Sequence, residues 1–341
     1  MKIQESPPNW IKNGEKFALI GLPVRLSPDV LKAELPGGLT IFPSADFELP
    51  NIWREWLGTI RVEEIGDCTL FLLAKLKSTS IGILDKENQK LSLLVHHWYT
   101  GLTLTCKFDT SDAAFLASGC CKDGNIDVRE FGPINPSLAP IVNDSHSISI
   151  KQLWHASEIS LGLRTVADSP NTKNWRILQC LQLYQEARCN RNIMERIHQF
   201  TRCIEGLIAG EAGKTKKQFK SRTETFIGPR YHNLMDELYE LRSAIEHLND
   251  NIHLAEFNRE ARISVAKLEA TSEWIARSCL ERILLNKEVL IHFGNIDSIK
   301  LFWQLSTAER QEIWGSPVDP EMPFRKFNFD HVSDQALGAF E

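Results

Sequence analysis

The sequence predicts an α+β protein, a mixed β-rich domain followed by an all-α domain. Three observations carry this: short β-type runs and turns between Lys16 and about Phe131, a proline-rich stretch after them, and helical periodicity in nearly everything beyond. With 341 residues, 43% apolar and 24% charged, the chain can build two cores of ordinary size.

In the first domain, residues 1–132, "GTIRVEEI" and "TLFLLAKL" flank "GDC" and read as strands. "KLSLLVHHWYTGLTLTCKF" reads as two short β-type runs around "YTG", and "SPDVLKAEL" as a helical patch with Ser27 at its N-cap. Residues 133–147, with Pro133, Pro136 and Pro140 in a Ser- and Asn-rich setting, suit neither helix nor central strand and form the linker.

The second domain, residues 148–315, opens with "IKQLWHASEISLGLRTVA" and "NWRILQCLQLYQEARC". In "RNIMERIHQFTRCIEGLIAG", Ile193, Ile197, Phe200, Ile204 and Leu207 recur by three and four, so one face is buried, and Gly210 and Gly213 follow as terminators. A further helix starts near Pro229, with Leu234, Leu238, Leu241, Ile245 and Leu248 as its stripe. A long helix, "EARISVAKLEATSEWIARSCLERILL", follows, then "NIDSIKLFWQL" and a capping box from Ser306 to Glu309. Residues 316–341 form a Pro-interrupted tail that wraps a surface or stays mobile.

The function classes narrow as well. A net charge of −5 argues against indiscriminate coating of nucleic acid, which needs positive charge to displace counterions. Apolar runs such as "LFLLA" from Leu70 fall short of the roughly 18 residues that span a bilayer, and no signal-peptide core follows "MKIQESPPNW". A cytoplasmic protein without membrane partners is expected. The eight cysteines contain no CxxC pair, and the grouping of His96, His97, Cys106, Cys120 and Cys121 matches no zinc spacing, so no metal site and no cofactor are expected.

"AGEAGKTKK" ends like a phosphate-binding loop at Gly213, Lys214 and Thr215, but Ile208 stands where the first glycine belongs and a helix precedes it. Its meaning is electrostatic instead. Lys214, Lys216, Lys217, Lys220, Arg222 and Arg230 lie between two core helices, opposed within that span only by Glu224, either as a solvated connector or as a track for RNA phosphates.

"LYELRSAIEH" places Arg242, Ser243 and His247 on one helix. A gap of five turns the histidine about 140° from the arginine, and neither lies on the leucine stripe. Taken in order, "RIHQFTRCIEGLI", "KQFKSRTETFIG", "LYELRSAIEH" and "SEWIARSCLERIL" resemble the Apea-like branch of the HEPN superfamily, over roughly Arg191 to Leu305. The signature of that superfamily is an arginine, a polar residue and a histidine four to six residues later. The resemblance implies a HEPN-like helical bundle and a two-fold homodimer whose motifs face one cleft. It implies an endoribonuclease of the toxin or antiviral-defence type, which works without metal and leaves 2′,3′-cyclic phosphate ends on tRNA or mRNA.

By that resemblance Arg242, Ser243 and His247 are the catalytic candidates. Histidine as a residue type suits proton transfer near neutrality, and arginine presents a charged planar fork to phosphate. Ser243 would bond phosphate or hold Arg242. Glu205 matches an acidic position of the family, or pairs with Arg202 or a neighbouring helix; Arg222 would pair with Glu205 or touch RNA; Tyr239 would stack on a base or pack. The chain departs from the family at Glu246 and Leu248, which flank the histidine where relatives carry a small or apolar residue and often glycine. The alternative reading is therefore an inactive HEPN-fold module that binds RNA, a nucleotide or a protein partner. An inhibitory or activating partner is compatible with either reading.

Overall fold

The computed structural model describes residues 8–81, 85–110, 113–143, 147–169, 173–247 and 257–338. Its contacts divide into two units, Met1–Ser137 with Ser145–Arg164, and Leu138–Asp144 with Thr165–Glu341.

The first unit is built on a six-stranded antiparallel sheet. The strands are β1 (Glu15–Leu22), β2 (Ala33–Leu35), β3 (Leu39–Pro43), β4 (Leu70–Lys77), β5 (Phe115–Lys122) and β6 (Asn125–Pro133), in the order β2-β3-β4-β1-β5-β6. β1 and β4 read as continuous apolar runs because both faces of the sheet are covered. On one face Ala18, Ile20, Leu72 and Ala74 pack with helical residues, and on the other Phe17, Leu19, Phe71 and Leu73 pack with Trp10 and Trp53. Between β3 and β4 lie α1 (Asn51–Trp56) and α2 (Gly58–Asp67); α3 (Lys86–Thr105) precedes β5 and α4 (Ile150–Ala167) follows β6.

Three local expectations are overturned. "KLSLLVHHWYTGLTLT" is the body of α3, not two β runs. The Asp85 carboxylate caps it by accepting from the Glu87 N–H, and Leu91, Val95, Trp98 and Leu102 form a helical stripe on the sheet. "GTIRVEEI" lies in α2, where Ile65 alone enters the core, while "TLFLLAKL" is a strand as expected. "SPDVLKAEL" forms no helix: the Ser27 N–H donates to the Ile148 carbonyl, and Ala33–Leu35 pairs with β3 through a turn with Gly37 and Gly38 at positive φ.

The boundary also differs from the one the sequence suggests, because most of α4 belongs to the sheet unit. Leu153 and Ala156 join its core, Trp98 Nε1 donates to Ser157 Oγ at 3.0 Å, and a Cβ at Gly101 would come within 2.3 Å of the Ala156 carbonyl oxygen. The glycine lets α3 and α4 touch backbone to backbone.

The second unit is helical: α5 (Trp175–Cys189), α6 (Ile193–Ile208), α7 (Thr215–Ile227), α8 (His232–Glu246), α9 (Arg259–Leu285), α10 (Lys287–Phe293), α11 (Ile296–Gln304), α12 (Thr307–Trp314) and α13 (Asp334–Gly338). All five stripe residues of α6 are buried, and the capping box at Ser306 and Glu309 is formed. Two ion-pair groups sit inside. Arg196 Nε lies 2.9 Å from Glu269 Oε1, with both residues fully buried, and Arg277 Nε lies 2.8 Å from Glu273 Oε1. Arg196 also donates to the carbonyls of Leu138 and Ala139, fixing that segment on the bundle. The tail runs along α9, where Trp274 Nε1 donates to the Asp319 carbonyl and Lys267 lies over the rings of Phe324 and Phe329. Among the described residues no helix is long and apolar enough to cross a membrane.

Candidate functional site

α8 carries the arginine, and the histidine follows directly after its last residue. The chain enters it through Gly228, whose φ of 84° suits glycine, and a 3-10 turn at Pro229–Tyr231. Its buried residues are Met235 and Leu238; Leu234, Leu241 and Ile245 are only half-buried, and Leu248 lies outside the described residues. The helix is thus rolled relative to the leucine stripe. On a wheel of about 100° per residue, Arg242 falls between Met235 and Leu238. It belongs to the face that packs on α6, not to one flank.

A cation there requires a countercharge, and α6 supplies it. Arg242 Nη2 lies 3.1 Å from Glu205 Oε2, and Nη1 lies 2.5 Å from Glu246 Oε2 on α8 itself. Burial pushes the Glu205 carboxyl above its usual range, with Glu246 adding to the shift while Arg242 opposes it. Glu205 therefore pairs with Arg242, and the expected links to Arg202 or Arg222 are not its salt-bridge contacts.

His198 of α6 joins the cluster. Its Nε2 is 3.7 Å from Glu246 Oε2 and its Nδ1 is 3.8 Å from Glu195 Oε2, both beyond hydrogen-bond range. Burial lowers its proton affinity, and Arg202 adds to the effect while the two glutamates oppose it. Its spacing of three from Glu195 was visible in the sequence; its approach to Glu246 was not.

His247 is exposed, one residue past the end of α8, and its N–H donates to the Ser243 carbonyl at 3.1 Å. The Ser243 hydroxyl has no hydrogen bond to Arg242 among the described residues. A groove of about 860 Å³ lies between α8 and α9, lined by Leu241, Ala244, Val265 and Leu268 with Asp236, Glu237 and Glu240 at its edge. The same wheel places these α8 residues roughly opposite Arg242, and His247 within about 60° of their centre. Arginine and histidine therefore leave the helix toward different surroundings.

The basic segment is α7 and the turn before it, and most of its charge is already answered. Lys216 pairs with Asp236 at 3.2 Å and with Glu240, Lys220 pairs with Asp236 at 3.0 Å, and Lys214 pairs with Glu211 at 3.0 Å. Arg222 Nη1 donates to the carbonyls of Ile208 and Ala209, each at 2.8 Å, closing the end of α6, and its guanidinium lies over the Trp303 ring. It serves helix packing, not Glu205. Tyr239 packs on Phe219, with ring centroids 5.6 Å apart. Lys217 is exposed and has no ion pair among the described residues. The acids that quench the segment, Asp236 and Glu240, stand four apart on α8, a spacing readable in advance only by knowing which helix α7 faces.

No group of three or more histidine, cysteine, aspartate or glutamate side chains is placed to hold a metal ion among the described residues. Comparison of the chain with protein-family models, with curated proteins and with solved structures found no match.

Proposed function

We propose that the chain is a metal-independent endoribonuclease of the HEPN toxin or antiviral-defence type, acting in the cytoplasm as a homodimer on tRNA or mRNA. One observation carries this reading: Arg242 is fixed by Glu205 in a half-buried setting, five residues before an exposed histidine at the end of the same helix.

In the reaction the ribose 2′-oxygen attacks the adjacent phosphorus, its proton passes to one imidazole, and the bond from phosphorus to the 5′-oxygen breaks. The leaving oxygen takes up a proton, returned by the imidazolium or supplied by water. The products are a 2′,3′-cyclic phosphate and a 5′-hydroxyl. His247 carries the proton transfer at each site, and Arg242 stabilises the negative charge that grows on the phosphate oxygens. Glu205 positions Arg242 through its carboxylate. Lys217 is a cation of the basic segment available to a neighbouring phosphate; Lys214, Lys216 and Lys220 must first leave their carboxylates.

The test is cleavage of total tRNA and a long mRNA with chelator present, with product ends mapped. Cyclic phosphate ends lost in Arg242→Ala and in His247→Ala support the assignment; cleavage unchanged in both removes it. A second reading, an inactive module that binds RNA, a nucleotide or a protein partner, is favoured by the contact of Glu246 with Arg242. It predicts binding without product, and for RNA an affinity that falls steeply with salt.

A further inference from the structure

Arg242 carries two carboxylates, and they are not equivalent. The Glu205 side chain comes from α6 and is 14% exposed; that of Glu246 sits at the end of α8 and is 43% exposed. One carboxylate neutralises one guanidinium, so the second is in surplus and stands on the open side. Carboxylate and phosphate fit the same guanidinium fork. A phosphate approaching Arg242 from solvent therefore meets Glu246 first.

His198 adds a separate observation. It is 9% exposed, and neither ring nitrogen has a hydrogen-bond partner among the described residues. Buried polar groups are normally satisfied. The Glu246 oxygen that touches Arg242 is the one 3.7 Å from His198 Nε2. A small rotation of a half-exposed side chain exchanges one partner for the other.

We infer that Glu246 is an internal competitor for phosphate at Arg242, and that His198 receives its carboxylate when a phosphodiester takes the guanidinium. This rests on the ribonuclease reading only in naming RNA as the source of that phosphodiester. A tethered carboxylate competes at high effective concentration. A lone phosphate displaces it poorly, whereas a polynucleotide, which adds contacts elsewhere on the surface, displaces it well. Glu246 thereby selects polymers over mononucleotides, and Glu205 keeps Arg242 in place during the exchange.

The test uses a fluorescent single-stranded DNA decamer, which has no 2′-hydroxyl and cannot be cut by this chemistry. Glu246→Gln should tighten its binding about five-fold, the order set by one half-exposed ion pair, in the wild-type background only. With Arg242→Ala the gain should vanish, which separates competition at Arg242 from a general loss of negative charge. His198→Phe should weaken binding while Glu246 is present and have no effect once it is Gln. Unchanged or weaker binding by Glu246→Gln, an equal gain with Arg242→Ala, or no binding by any variant overturns the inference. Glu246→Ala serves as a second probe of the same position. An Arg242-dependent gain with no RNA cleavage by any variant keeps the competitor and sinks the ribonuclease. His247-dependent RNA cleavage with no change in decamer affinity does the reverse.

Discussion

Replacing Arg196 with Met tests how α6 is held, and with it the position of Glu205. Arg196 is fully buried, lies 2.9 Å from the fully buried Glu269, and donates to the carbonyls of Ala139 at 3.1 Å and Leu138 at 3.2 Å. Arg196→Met keeps the apolar stem but removes the positive partner of a carboxylate that has no exposure to water. Glu269 keeps the Ile141 N–H at 3.1 Å, a neutral donor, but loses the cation at 2.9 Å. Breaking a buried ion pair from one side costs about 3 to 5 kcal/mol, out of a net stability of about 5 to 15 kcal/mol for an ordinary domain. The double variant Arg196→Met with Glu269→Leu removes both charges and should be less destabilised than the single one. Hydrogen-exchange mass spectrometry on α6 and α9 peptides reads the opening free energy of this unit apart from the sheet unit. A single variant within about 1 kcal/mol of wild type, or a double variant worse than the single, refutes the reasoning.

Two further outcomes follow from the site. His198 has its proton affinity lowered by burial, so between that lowered value and about 6.5 the unfolded chain binds the proton that the folded chain does not. Its contribution is therefore fully present above about pH 6.5 and is lost as pH falls through that window; His198→Phe should flatten this part of the curve of urea midpoint against pH, and an unchanged slope would count against a buried neutral imidazole. Arg222→Ala should cost about 1 to 2 kcal/mol, through the two carbonyls it bonds, and leave the salt dependence of RNA binding alone. Lys217→Ala should leave stability alone and reduce the log–log salt slope by about 0.7, one phosphate contact to a single strand. Reversed effects would reverse the two assignments.

The α+β architecture was legible because the two halves have different periods, and α6 was legible because five apolar residues at steps of three and four leave one arrangement. α3 was not. Its Val, Trp, Tyr and Thr content favours strand locally, and only the fit of Leu91, Val95, Trp98 and Leu102 against the sheet decides for helix. The periodicity of α8 marks a helix but does not set its roll, since a leucine stripe is a packing preference and not a packing partner. Met235 proved more buried than Leu234, and Arg242 moved from flank to interface because Glu205 stands opposite. Charge neutralisation of α7 was equally invisible, as Asp236 and Glu240 act across helices.

The roll of α8 has a consequence for the chemistry. Arg242 faces α6, while the turn of the helix sets His247 about 140° from it, so one copy of α8 does not aim both at one phosphate. If the ribonuclease reading holds, the histidine that meets a phosphate on Arg242 comes from a second copy of the chain. Mixing purified Arg242→Ala and His247→Ala proteins tests this. Random exchange makes half of the dimers mixed, and each mixed dimer pairs an intact arginine on one protomer with an intact histidine on the other at one of two equivalent sites. Activity should return to about a quarter of wild type from two inactive parents. A mixture that exchanges subunits, as mass measurement can show, and stays inactive would mean that arginine and histidine act within one chain or that all four residues must be present at once. Either result contradicts pairing across the dimer one arginine to one histidine.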